Sequence, residues 1–127
     1  MRAGVLFVSP HSEDADRLSQ ILDPLPMELD YVADLEHARH KLREEPYPVI
    51  LTDAALPDGV WLDVLHLAHS VSPPSQVIVT TRFADARLWI DALGHGVFDV
   101  LVQPFCPSEV HRILANACGR RTYGCAF

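Results

Sequence analysis

Short apolar runs alternate with longer stretches whose apolar residues recur at helical spacing, and this alternation repeats five times along the chain. Val5-Leu6-Phe7-Val8 is an unbroken run of strand type, followed by Asp14 to Leu22, where Ala15, Leu18, Ile21 and Leu22 share one helical face. Ser12 is the expected N-cap, and Glu13, Asp14 and Asp16 suit the positive start of that helix. Asp23-Pro24-Leu25-Pro26 stops it. A weaker strand, Met27 to Val32, precedes a helix from about Leu35 to Glu44 with Leu35, Ala38 and Leu42 together. Pro46 and Pro48 punctuate before the third strand, Val49 to Thr52. Asp53 and the turn Leu56-Pro57-Asp58-Gly59 lead into a helix with Leu62, Leu65 and Ala68 on one side. Ser72-Pro73-Pro74 breaks that helix ahead of the fourth strand, Gln76 to Thr80. The fourth helix, Ala84 to Leu93, ends at Gly94 and Gly96, and Phe98 to Val102 is the fifth strand. Pro107 opens the last helix, with Val110, Ile113, Leu114 and Ala117 inward.

The first, third, fourth and fifth strands are apolar without clean alternation, as strands covered by helices on both faces are. Right-handed crossovers then give one parallel, doubly wound α/β sheet. At 127 residues the chain has room for one such domain, expected over residues 1–118, with 119–127 a loose tail.

Several functions are disfavoured. A net charge of −7 makes the domain a poor partner for phosphate backbones or anionic membranes, and Arg120-Arg121 is too short a basic run to change this. No apolar run approaches the ~20 residues that span a bilayer. The first residues lack the long apolar stretch of a signal peptide, so a cytoplasmic location is expected. Cys106, Cys118 and Cys125 have no paired spacing and are expected to be buried or half-buried thiols. His37 with His40, and His66 with His69, sit three apart on helices without a third ligand, so they suggest solvated faces rather than metal. No nucleophile and base have recognisable spacing, and an enzyme is not expected.

In a doubly wound sheet, ligands and reactive groups gather at the carboxyl ends of the strands. There stand Ser9, Pro10 and His11, then Asp53, then Thr80 and Thr81, then Gln103 and Pro104. The segments Val49-Ile50-Leu51-Thr52-Asp53, Leu56-Pro57-Asp58-Gly59 and Leu62-Asp63-Val64-Leu65, with Val77-Ile78-Val79-Thr80-Thr81 and Gly96 to Phe105, resemble response-regulator receiver domains in register from residue 3 to about 118. The resemblance implies a flavodoxin-like (βα)5 sheet in strand order 2-1-3-4-5 and a two-component or phosphorelay signalling module. In that family an aspartate ending the third strand accepts a phosphoryl group from a histidine kinase, and Asp53 matches it. The family's switch hydroxyl falls on Thr81 by spacing from Gln103, with Thr80 the neighbouring alternative.

Other positions depart from the family. Its Mg2+-binding acid pair is replaced by Ser9 and Pro10, and its lysine before the proline of the fifth turn is Gln103, ahead of Pro104. Val100 replaces a frequent aromatic in the fifth strand, and Trp61 replaces a loop glycine. Phosphoryl transfer to a carboxylate depends on cations that offset the charge spread over three oxygens. Ser9 is neutral, Pro10 offers no ligand and Gln103 carries no charge, so a degenerate receiver is expected, one without bound Mg2+ that works through protein contacts. Glu13 and Asp14 are read as decoration of a helix start, and Asp58 as turn chemistry. The alternatives are a conventional phosphoacceptor with a rebuilt Mg2+ site, and a flavodoxin-type small-molecule binder; the latter is disfavoured because Ser9-Pro10-His11-Ser12 lacks a glycine for close approach to phosphate. Expected partners are a histidine kinase or an effector, or a second copy bound through the fourth helix, fifth strand and fifth helix. Trp89, Val100 and His111 are the candidate residues of that face. Trp89 is placed beside an inward Ile90, either as an exposed anchor or packed on the third helix.

Overall fold

The computed structural model describes residues 3–83 and 85–123. Its elements run β1 (Ala3–Val8), α1 (Ser12–Leu22), β2 (Met27–Val32), α2 (Leu35–Glu44), β3 (Val49–Asp53), β4 (Ala55–Leu56), β5 (Gly59–Val60), α3 (Trp61–His69), β6 (Gln76–Thr81), α4 (Ala86–Gly94), β7 (Asp99–Val102) and α5 (Pro107–Tyr123). The five long strands form one sheet in the order β2-β1-β3-β6-β7, with every neighbouring pair parallel. This is the flavodoxin-like arrangement expected above, with β6 and β7 as its fourth and fifth strands. The turn after Asp53 is an additional two-stranded antiparallel hairpin, β4–β5.

The sheet separates two apolar cores. Leu6, Val8 and Ile50 point to one side, where Ala38 and Leu42 of α2, Val64 and Leu65 of α3, and Ala92 of α4 cover them. Val5, Phe7 and Leu51 point to the other, under Leu18 of α1 and Val110 and Leu114 of α5. The period-two alternation of strand side chains divides the two sets, and helices on both faces explain why the strands read as apolar runs.

Several local expectations are corrected. His11, not Ser12, is the N-cap of α1, and its side chain makes no capping bond. Ile90 is 75% exposed, while Leu88 and Trp89 pack partly against the first core and Ala92 is buried. On a helix, positions 88, 89 and 92 share a face and position 90 falls away from it. Trp61 is buried and meets the His95 ring edge-on at 5.8 Å. Cys106 is exposed rather than buried, and a hydrogen bond with Ser108 draws its thiol below the ordinary value; Cys118 is half-buried. Ala84, expected to open α4, and Cys125 lie outside the described residues, as do 124–127 of the expected tail; α5 itself extends to Tyr123. Gly96 has φ +103°, a left-handed conformation suited to glycine, and it turns the chain from α4 toward β7.

Asp58 does more than shape its turn. Its carboxylate accepts from Leu35 N at 2.9 Å and Glu36 N at 3.1 Å, while Asp34 accepts from His37 N at 2.9 Å. Two acids thus satisfy three donors at the start of α2, and their charge suits the helix dipole. Asp58→Ala is expected to lower stability by about 1–2 kcal/mol, and Asp58→Asn by less, in urea unfolding.

Candidate functional site

Parallel pairing fixes which side chains meet at the carboxyl end of the sheet. Val8 lies opposite Thr52, and Asp53 lies opposite Thr80. Ser9, one residue past Val8, therefore comes beside Asp53, and Ser9, Asp53 and Thr80 stand in a row across three adjacent strands. All three are buried. Ser9 Oγ donates to Asp53 Oδ2 at 2.9 Å, and Thr80 Oγ1 donates to Asp53 Oδ1 at 2.6 Å. Ser9 Oγ also accepts from His11 N at 3.1 Å. Each carboxylate oxygen thus has its own hydroxyl donor.

Thr81 follows Thr80 and so faces the other way. Its Oγ1 accepts from Phe83 N at 3.2 Å and donates to Phe83 O at 3.3 Å, closing a turn. Of the two threonines, Thr80 makes the contact with Asp53. Asp53, Thr80, Thr81 and Gln103 line a pocket of about 180 Å³, together with His11, Ala54, Ala55, Arg82 and Phe83. Pro10 and Pro104 are exposed and do not line it, and the Gln103–Pro104 peptide is cis.

Sequence reasoning missed Arg82 and Tyr31, and it read Asp14 only as a helix-start acid. Asp14 does stand in the first turn of α1, but it is 2% exposed, and its Oδ2 accepts from Arg82 Nη2 at 2.8 Å. A buried carboxylate requires such a partner. Tyr31 donates to the carbonyl of Ser9 at 2.6 Å. Burial foremost, and then the charges of Asp53, Glu13, Asp14 and Asp34, push its phenol above the ordinary value. Four carboxylates are therefore felt from one point near the site.

These residues do not fit a Mg2+ ion, which seeks octahedral oxygen ligands with carboxylates among them. Ser9 Oγ is committed to Asp53 and His11, and Pro10 has no side-chain ligand. Among the described residues, no group of three or more His, Cys, Asp and Glu side chains could hold a metal ion.

The candidate interaction residues separate. Val100 is 1% exposed and packs in the first core, so it presents no surface. His111 is half-buried, and its Nε2 lies 2.6 Å from the carbonyl of Ile21. A carbonyl can only accept, so Nε2 carries the proton there. Trp89 is half-buried, and the large apolar side chains exposed around α4 are Phe83, Ile90 and Leu93.

Comparison with known proteins agrees with this geometry. The family model for the response regulator receiver domain matches residues 5–115. The response regulator protein PilR of Pseudomonas aeruginosa is 28% identical over 116 residues, which cover 91% of this chain and 26% of PilR. The chain thus spans about a quarter of that curated relative's length. Among solved structures, the signal receiver domain of an HD domain-containing protein from Pseudomonas fluorescens Pf-5 is 25% identical with a TM-score of 0.86, over 96% of this chain and 90% of that one. The beryllofluoride-activated NtrC4 receiver domain, a dimer, is 27% identical with a TM-score of 0.85, over 93% and 98%. The sheet order, the aspartate closing β3 and the match across nearly the whole chain lead to one conclusion: this chain belongs to the response regulator receiver domain family, the signalling modules of two-component systems.

Proposed function

We propose that this receiver signals through protein contacts, with Asp53 held as a buried anchor and not used in ordinary Mg2+-dependent phosphorylation. The observation that carries the reading is the pair of hydroxyls on Asp53. Each Asp53 oxygen accepts a hydrogen bond, from Ser9 or from Thr80, and the two donors fix the carboxylate in place and draw charge from the oxygens that would attack phosphorus. The cations that would neutralise the transition state are also displaced: Ser9 and Pro10 replace the acid pair, and Gln103 replaces the lysine. Each 1.4 kcal/mol of lost transition-state stabilisation slows the step about tenfold.

The partner is a histidine kinase or an effector protein in the cytoplasm, or a second copy of the chain. Phe83, just ahead of α4, and Ile90 and Leu93 on it are exposed apolar side chains available for that contact. The NtrC4 receiver is a dimer, which supports a self-association reading. Among the described residues, no helix is long and apolar enough to cross a membrane.

The test is incubation with acetyl phosphate and Mg2+, followed by intact mass spectrometry. The expected result is an unchanged mass over a period in which a conventional receiver is fully labelled. Rapid stoichiometric gain of one acid-stable, hydroxylamine-labile phosphoryl group, lost in Asp53→Asn, would restore the conventional phosphoacceptor.

A further inference from the structure

The Asp14–Arg82 pair lies outside everything that the family resemblance assigns. Among the described residues lining the pocket that holds Asp53, Arg82 is the only lysine or arginine. It comes from the loop between β6 and α4, whereas Asp14 comes from the first turn of α1, 68 residues away in sequence. α1 covers the second core and α4 the first, so the pair crosses the carboxyl end of the sheet, where Asp53 closes β3. The Asp14 side chain is 3% exposed and the Arg82 side chain 48% exposed. A guanidinium is permanently charged and weakly hydrated, which suits it to a half-buried ion pair.

We propose that Arg82 is the resident cation of this site: it lines the pocket that holds Asp53, and by neutralising the buried Asp14 it keeps that carboxylate from serving a divalent ion there. The inference rests on the reading of Asp53 as a buried anchor and supplies its electrostatic counterpart. Asp14 and Asp53 carry two negative charges near the pocket. Arg82 offsets one, and the Ser9 and Thr80 hydroxyls solvate the other. A divalent ion entering beside Asp53 would find Asp14 already neutralised, and to recruit it the ion would have to leave Arg82 without its partner.

The test is Mn2+ titration, with free Mn2+ followed by electron paramagnetic resonance. Wild type is expected to show no saturable binding at millimolar Mn2+. Arg82→Gln, which uncovers Asp14 near Asp53, is expected to gain at least about tenfold in affinity, equivalent to ~1.4 kcal/mol. Arg82→Lys keeps the charge and should behave as wild type, and adding Asp14→Asn to Arg82→Gln should remove the gain. If Arg82→Gln is too unstable to titrate, Mn2+ is expected to restore its far-ultraviolet helix signal, since a ligand that binds only the folded state stabilises it. Saturable binding by wild type at or below millimolar Mn2+ overturns the proposal. So does a folded Arg82→Gln with wild-type affinity, or an unfolded one that Mn2+ does not rescue. Metal binding by wild type without acyl phosphate formation would overturn this proposal alone and leave the proposed function standing.

Discussion

Ser9→Ala combined with Thr80→Val is expected to lower unfolding free energy by about 3–6 kcal/mol, because a hydrogen bond to a charged group contributes ~1.5–3 kcal/mol. Both hydroxyls are fully buried and both donate to the same buried carboxylate. Thr→Val nearly preserves shape, so the loss at position 80 reports the donor rather than a cavity. Asp53 would remain in the fold with neither hydroxyl donor, the situation in which burial of a charge is most costly. Each single variant should show about half of the effect. The two losses need not add, since both bonds end on one group and neighbouring sites couple. Guanidinium unfolding of the four species gives the double-mutant cycle. Losses under ~0.5 kcal/mol throughout, the scale of an ordinary surface substitution, would show that the hydroxyls do not hold Asp53.

The second large effect is a gain. Ser9→Asp, Pro10→Asp and Gln103→Lys together restore the charges that the family resemblance implies around Asp53. The triple variant is expected to form acyl phosphate from acetyl phosphate and Mg2+ at least ~10³-fold faster than wild type, the scale of a metal contribution of several kcal/mol. Ser9→Asp acts twice, since it adds a carboxylate and removes a hydroxyl that occupies Asp53 Oδ2. The rate is read by quench-flow with a radiolabelled donor. Arg82→Gln added to this background should raise the rate further. A triple variant that folds, binds Mg2+ and still fails to label would place the block at Thr80 and Oδ1.

The fold was legible because its signals are periodic and local. Five apolar runs, five helical patterns and their proline or glycine stops are each contained within ~20 residues, the range over which hydrophobic periodicity operates. The aspartate at the end of the third strand was legible for the same reason, since position at a strand's carboxyl end follows from the run before it. What remained hidden depends on pairing. Thr80 and Thr81 differ only in which face of β6 they occupy, and the register against β3 selects Thr80. Ile90 is apolar in an apolar helix, yet α4 docks through Leu88, Trp89 and Ala92 and leaves it outside. Asp14 carries every mark of a helix-start acid. Its burial arises on packing, and its guanidinium partner comes from a loop 68 residues away. Asp58 likewise acts on a helix 22 and 23 residues earlier in sequence.

The sheet keeps the packing of α1 and α5 apart from that of α2, α3 and α4, so a displacement on one side must ordinarily travel through the rigid strands to be felt on the other. The contact from the α1 side to the loop ahead of α4 bypasses that wall. It ties the first turn of α1 to the loop between β6 and α4, where Phe83 stands in solvent, and so joins two faces that the sheet packs separately.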